Sequence, residues 1–356
     1  MEYIACDTHK FYTLVEREDA QTGRARQYRV DHGPGAIRRA FAGAQAGTAV
    51  AVEATGNWYW VVNEIEQAGL VPRLVHPRKA KMMMGMINKT DKLDVHGLNR
   101  LQRNGTLPTV WIPPGPLRDL RELTRTRQVL VQQRTRLKNR IQATLCKYGL
   151  LMSEFSDPYG RKARVAMQGL IEQLPPQTAY VTTVLLQHLD LLEPQIAQLE
   201  HRLGELLKVT PEMEWLMSLP GVGLILSAVI AWELGDIRRF LSALHLASYS
   251  GTTPRVHSSG DKTRYGRLRP DVNRYLKWGF VEAANSICLN HTRQPDRHVS
   301  RLYKRIRDRK GHPKAIGAVA RHLSEAAFHV LSRKEMYRDP ALNKGPIQGG
   351  VSATAS

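Results

Sequence analysis

The sequence predicts an α/β domain with a mixed sheet, followed by a helical arm and a mainly helical C-terminal region. Three patterns predict it. Over the first hundred residues, short apolar runs rich in β-branched residues alternate with segments of helical periodicity. Between Leu117 and Leu206, leucines recur in steps of three and four, as in long packed helices. From Pro211 onward, helical stretches are punctuated by Gly221, Gly223, Gly235, Gly251, Gly260 and Gly266. The expected divisions are 1–112, 113–210 and 211–340, with a small, polar and disordered tail over 341–356.

Taken in order, Tyr3 to Asp7, Phe11 to Val15 and Gln27 to Val30 read as strands. A helix is expected after Pro34-Gly35, then a strand from Thr48 to Val52, a helix from Trp58 to Gln67 and a strand near Leu70 to Val75. Early strands joined by short polar turns and followed by βαβ alternation give the order of an RNase H-like fold. The Met82-Met83-Met84 cluster reads as packing.

Pro108, Pro113, Pro114 and Pro116 mark a boundary. Beyond it, Leu120, Leu123, Leu130, Leu137, Ile141 and Thr144 form a first seam, interrupted by Arg127 and Arg134. Leu185, Leu189, Leu192, Ile196, Leu199, Leu203 and Leu206 form a cleaner second one, with Pro194 as its defect. The two seams predict an antiparallel arm that turns between Ser153 and Pro176. Both an intramolecular hairpin and a dimer-forming coiled coil fit the pattern.

The chain carries 52 Lys plus Arg against 32 Asp plus Glu, a formal charge of +20, so its surface seeks polyanions. The excess is greatest after residue 210, where 23 basic side chains face 12 acidic ones. Three scattered cysteines, Cys6, Cys146 and Cys288, provide neither a disulfide framework nor a zinc site. With no signal-peptide pattern and no long apolar run, a cytoplasmic, nucleoid-associated location is expected and a membrane is not.

Against this basic background, four acids stand out. Asp7 and Glu53 end strands, and if those strands are neighbours both carboxylates emerge at one sheet edge. Asp91 and Asp94 lie three apart in Asn88-Lys89-Thr90-Asp91-Lys92-Leu93-Asp94, with Val95, Leu98 and Leu101 marking the buried side of a helix. Phosphodiester chemistry uses such clusters because two Mg²⁺ ions roughly 3.5 to 4 Å apart stabilise attacking and leaving oxygens, and hard cations take carboxylate ligands. Taken singly, each acid also has an ordinary account as an Asx turn, helix cap or strand-end charge.

Leu219-Pro220-Gly221-Val222-Gly223 before an apolar helix looks like a helix-hairpin-helix element, able to bring backbone N–H groups to a phosphate or to serve as a tight interhelical turn. The stretch from Gly251 to Arg267 reads as a flexible loop that carries Ser258 and Ser259 among Arg255, Lys262, Arg264 and Arg267. A hydroxyl attacking a phosphodiester needs such cations around the non-bridging oxygens. His257 and Asp261 are the bases within it. Further on, Arg301, Lys304 and Arg305 belong to a basic run from Arg293 to Lys314, a footprint for a nucleic-acid backbone.

In combination, Asp7 in I-A-C-D-T-H-K, Glu53 in V-E-A-T-G, Asp91 and Asp94 in N-K-T-D-K-L-D, then L-P-G-V-G and G-T-T-P-R-V-H-S-S-G-D-K resemble the IS one-ten insertion-sequence transposases. These are also called DEDD transposases or bridge-RNA-guided recombinases. The resemblance spans nearly the whole chain. It implies a RuvC-like domain, a coiled-coil arm and a transposase domain with a catalytic serine. It puts the four Mg²⁺-binding acids on Asp7, Glu53, Asp91 and Asp94, and the nucleophile on Ser259, the serine directly before glycine. It further implies a homo-oligomer, dimer or tetramer, in which the serine of one subunit completes the acidic site of another. Donor and target DNA would be paired by a structured guide RNA. One departure is Arg269-Pro270-Asp271-Val272-Asn273-Arg274 where many relatives have a Ser-Lys-x-Gly stretch.

The leading expectation is therefore a serine-nucleophile DNA recombinase. Alternatives are a metal-dependent junction nuclease or water-driven transposase in which Ser259 is structural, and a non-catalytic nucleic-acid-binding protein.

Overall fold

A computed structural model describes residues 2–85, 90–260, 262–268 and 272–340, and of Thr263, Tyr265, Arg267 and Leu268 the backbone alone. Asn88, Lys89, Asp261, the Arg269-Pro270-Asp271 departure and the expected 341–356 tail lie outside the described residues. The chain divides into two compact units, Met1–Pro113 and Pro114–Ser356.

The first unit is built on five strands: β1 (Glu2–Thr8), β2 (Tyr12–Asp19), β3 (Ala25–Asp31), β4 (Ala49–Glu53) and β5 (Val71–Val75). Their spatial order is β3-β2-β1-β4-β5, antiparallel through the first three and parallel from β1 to β4 and β4 to β5. This mixed sheet is the arrangement expected from the order of elements in the sequence. Its helices are α1 (Ala36–Ala40), α2 (Trp58–Gln67), α3 (Pro77–Met84) and α4 (Asp91–Arg103).

Period-two alternation divides the sheet between two cores. Ile4, Cys6, Val15, Val50 and Val52 pack against Ile37 and Phe41 near α1 and Val61 and Ile65 of α2. Ala5, Ala51 and Val75 face Ala80 of α3 and Val95, Leu98 and Leu101 of α4. Alanines at the centre of that second face let α4 approach closely. Two buried acids beneath α4 are satisfied: Glu16 accepts from Asn99 Nδ2 at 3.1 Å and Gln27 Nε2 at 2.6 Å, and Glu18 pairs with Arg103 at 2.8 Å. Helix α3 was not expected, and Met82 and Met83 on it are exposed, at 75% and 48%, rather than packed.

The second unit starts with α5 (Gly115–Lys147), α6 (Arg161–Glu172) and α7 (Pro176–Leu206). Tyr148 meets Thr178, Lys138 meets Glu193 and Arg127 meets Glu200, so α7 runs back along α5 as an intramolecular antiparallel hairpin. Arg127 thus does not simply break its seam but carries an ion pair across it. The turn contains a further helix, α6, whose Met167 and Ile171 cap the far end together with Ile141, Leu145, Leu186 and Leu189. Along α7 the buried positions include Leu186 where Leu185 was expected, and Leu206 is 38% exposed. Pro194 lies within a continuous helix.

The remainder comprises α8 (Pro211–Met217), α9 (Leu224–Leu234), a short 3₁₀ turn (Ile237–Arg239), α10 (Ala243–Tyr249), strands β6 (Pro254–Ser259) and β7 (Lys262–Leu268), then α11 (Arg274–Asn290), α12 (His298–Lys310) and α13 (His312–Arg333). The P-G-V-G turn joins α8 to α9. Gly221 has φ of +77°, and a Cβ there would stand 2.3 Å from the Ala283 carbonyl oxygen of α11, so the turn needs glycine.

A buried polar network fixes the foot of α5 to this helical core. Glu233 of α9 is fully buried. Arg125 donates to it from Nε and Nη2 at 2.7 and 3.0 Å, and Asn273 Nδ2 donates at 2.8 Å. Arg121 donates to the carbonyl oxygens of Trp232 and Glu233 at 2.7 and 3.0 Å. Asn273 in turn accepts from the backbone of Tyr275 and Leu276, capping α11.

Replacing Glu233 with Ala removes the buried carboxylate to which Arg125 and Asn273 donate. It is expected to lower unfolding stability by about 3–5 kcal/mol. Replacing Glu325, whose pair with Arg321 is more exposed, should cost less than about 1 kcal/mol. Equilibrium denaturant unfolding of both variants checks the contrast.

Candidate metal centre and nucleic-acid surfaces

Parallel pairing of β1 with β4 sets Ile4, Ala5 and Cys6 opposite Val50, Ala51 and Val52. One residue further, Asp7 and Glu53 follow Cys6 and Val52 at the same sheet edge. Counting by twos from Ala5 and Ala51 assigns both acids to the α4 face. Helix α4 starts at that end: Thr90 is its N-cap, accepting from Leu93 N at 3.3 Å, and Asp91 and Asp94 fill its first turn. There the helix dipole favours acids, which accounts for them partly as local structure.

Asp7 is only 5% exposed. His9 lies between two carboxylates, its Nε2 3.2 Å from Asp7 Oδ2 and 3.3 Å from Asp91 Oδ2. Tyr12 donates its hydroxyl to Asp91 Oδ2 at 2.9 Å and stacks on His9 with ring centres 4.6 Å apart. The Arg29 guanidinium lies 4.0 Å over the Tyr12 ring. The loop after β4 is tied in as well, Asn57 Nδ2 donating to the His9 carbonyl at 2.9 Å.

Burial pushes the Asp7 carboxyl above its ordinary range, and the nearby charges of Asp91 and Asp94 push the same way, while His9 opposes them. The hydrogen bond to Asp91 raises the Tyr12 hydroxyl. Ligand atoms of Asp7, His9 and Asp91 all lie within 4.8 Å of one another. A buried carboxylate crowded by like charges, with hard oxygen donors converging on it, fits a divalent cation. Of the four predicted acids, Asp7 and Asp91 are brought together, and Asp94 is near enough to act on Asp7. Glu53, half-buried at the adjacent strand end, is outside that close group.

His9 and Tyr12 were not among the sequence candidates. A signal existed for His9: β1 continues through Thr8, and a residue two beyond Asp7 keeps to its side of the strand.

In the second unit the expected serine loop is instead an antiparallel hairpin. Ser259 pairs with Lys262 and His257 with Arg264, and Gly260, directly after β6, has φ of +57°. Cross-strand partners share a face, so Ser259, His257, Lys262 and Arg264 share one side of the ribbon. Arg255 joins them opposite Gly266, where a Cβ would be 3.6 Å from Arg255 Cβ. Arg255, His257, Ser258, Ser259, Lys262 and Arg264 are exposed. The Arg267 side chain is outside the described residues.

Arg301, Lys304 and Arg305 are exposed on α12, on the face opposite the buried Val299 and Tyr303. Beside them a cleft of about 1210 Å³ is lined by Arg305, Arg309, Lys310, Lys314 and Arg321, and by Pro254 and Gly266 at the base of the hairpin. No helix among the described residues is long and apolar enough to cross a membrane.

The DEDD transposase model of the IS110 type matches residues 7–149, and the model described as the transposase IS116/IS110/IS902 family matches residues 213–300. A probable family 20 transposase of Pseudomonas aeruginosa is 26% identical, over 81% of this chain and 85% of the relative. The transposase for insertion sequence element IS1111A of Coxiella burnetii is 25% identical, over 81% and 79%. A pilin gene-inverting protein of Moraxella lacunata is 27% identical, over 59% and 57%.

Because Asp7 keeps its proton to higher pH when folded than when unfolded, ionising it disfavours the native state. Its contribution to stability is therefore lost as pH climbs from the ordinary aspartate value of 3.8 through its raised folded value. In metal-free protein near neutral pH, Asp7→Asn should raise the melting temperature. A fall would show that the charge is stabilised without a cation.

Proposed function

Because the chain belongs to the IS116/IS110/IS902 family of transposases, we propose that it is the transposase of an insertion sequence that cuts and rejoins DNA through Ser259. The acids Asp7, Glu53, Asp91 and Asp94 would hold divalent metal, Mg²⁺ in the simplest case. Donor and target DNA would be selected by a structured guide RNA bound to a homo-oligomer, dimer or tetramer. The observation that carries this reading is the meeting of buried Asp7 of β1 with Asp91 of α4, with Asp94 close by, in an otherwise basic chain.

In the proposed reaction the Ser259 oxygen attacks a phosphodiester phosphorus. A P–O bond to deoxyribose breaks, a phosphoserine diester forms, and the serine proton departs as the leaving sugar oxygen becomes a hydroxyl. His257, on the same face of the hairpin, would take that proton. Attack by a hydroxyl of another strand then reverses the chemistry, releasing serine and joining new DNA ends. Lys262, Arg264 and Arg255 supply positive charge to the non-bridging oxygens. When bound, the divalent cation supplies further neutralisation of the developing charge. Arg301, Lys304, Arg305 and the adjoining basic cleft hold backbone phosphates, and Arg267 is proposed as a further phosphate contact from its place in the sequence.

Three experiments test this. Ser259→Ala should abolish a denaturation-resistant protein–DNA adduct while leaving nucleic-acid binding intact. An adduct persisting in that variant, or DNA cleavage with no adduct in the parent, would favour hydrolysis by water. Sequencing RNA that co-purifies with the protein tests the guide. Replacing Arg301, Lys304 and Arg305 together by Ala should lessen the slope of log affinity for duplex DNA against log salt by about 2–3. An unchanged slope would remove this face from the interface.

A further inference from the structure

The four-acid pattern leaves His9 without a role, yet its imidazole occupies the middle of the acidic edge. We propose that His9 is a nitrogen ligand of the cation held by Asp7 and Asp91, and that it makes the site select Mn²⁺ over Mg²⁺. The proposal rests on reading the acidic cluster as a metal centre.

The geometry supports a ligand better than a hydrogen-bonding spacer. His9 Nε2 lies 3.2 Å from Asp7 Oδ2 and 3.3 Å from Asp91 Oδ2. A single Nε2–H cannot point well at two carboxylates at once. Neighbouring ligand atoms on an octahedral cation with bonds of about 2.1 Å lie about 3 Å apart. The three donor atoms therefore stand near the separations of ligands sharing one ion, and every pair is within 4.8 Å.

The ring is also held for that task. The His9 N–H donates to the Tyr12 carbonyl at 2.9 Å, the His9 carbonyl accepts from Asn57 at 2.9 Å, and the ring stacks on Tyr12 at an interplanar angle of 25°. Tyr12 simultaneously orients Asp91 through its hydroxyl. Such supporting contacts fix ligand orientation before the ion arrives.

Nitrogen donation matters for ion choice. Mg²⁺ prefers an all-oxygen octahedron and retains waters, whereas imidazole adds affinity for first-row transition ions. Two carboxylates with one imidazole still suit Mn²⁺, which accepts hard oxygen ligands.

The test uses the full-length protein freed of metal, with Mn²⁺ binding followed by loss of the free-ion electron paramagnetic resonance signal and Mg²⁺ by competition. The parent should bind Mn²⁺ more tightly than Mg²⁺, and pulsed resonance should detect directly coordinated ¹⁴N. The half-exposed His9 can be changed to Ala or Ser without opening the core. Either change should lower Mn²⁺ affinity at least about tenfold, the lower end of what loss of even an outer-shell partner costs a metal site, alter Mg²⁺ affinity far less, and erase the ¹⁴N signal. Mn²⁺ binding that Asp7→Asn weakens but His9→Ala does not, or that carries no ¹⁴N coupling in the parent, would overturn the proposal and leave the acidic centre standing. Tighter binding after His9→Ala would show that the ring competes with the ion, which also overturns it. Failure of the parent to bind either ion would remove both the proposal and the metal reading beneath it.

Discussion

The parallel pairing of β1 with β4 is the constraint on which the acidic centre depends. Because the side-chain period of a strand is two, the register that buries Cys6 beside Val52 sends Ala5 and Ala51 to the opposite face, and Asp7 and Glu53 with them. A slip of one residue would exchange the two sets, burying charge among Ile37, Phe41 and Val61. Small residues at Ala5 and Ala51 then let α4 lie across that face, bringing Asp91 and Asp94 to the edge. Asp7 and Asp91 meet because apolar side chains elsewhere in the same elements require it.

Concentrating charge in this way works against stability. Glu16 and Glu18, buried under the same helix, are matched by Asn99, Gln27 and Arg103. Asp7 is not matched in this way: among the described residues, His9 opposes burial and two neighbouring acids. A position that disfavours its own ionised form in the absence of a cation is one at which a bound cation is most strongly stabilising. In the second unit the buried charge is structural in character. Glu233 gathers Arg125 and Asn273, and so joins the foot of the helical hairpin to the cap of α11, the helix that follows the serine-bearing ribbon.

Much of this was legible in the sequence where one face of an element is apolar. The strand around Val50, the Trp58–Gln67 helix and the Val95, Leu98, Leu101 stripe each carry a periodicity that burial enforces. The β6–β7 hairpin was not legible, because Arg255, His257, Ser258 and Ser259 are all exposed and polar residues on both faces erase the alternation. Flanking glycines and a proline then read as loop. Leu186 replaced Leu185 in the core because the partner of α7 changes along its length, from α5 to α5 with α6, so one seam cannot describe it. Met82 and Met83 failed as core because helix α3 buries chiefly Ala80. Asp7, Glu53, Asp91 and Asp94 were singled out by type and position, whereas His9 was passed over because its place two residues beyond Asp7 does not by itself separate a ligand from an ordinary side chain at a strand end.

The most direct test of the metal centre is anomalous diffraction from crystals of the full-length protein grown with Mn²⁺. The expected result is a peak within bonding distance of carboxylate oxygens of both Asp7 and Asp91. A map without that peak, or one in which the ion binds elsewhere while Asp7 and Asp91 remain bridged by His9 alone, would contradict it.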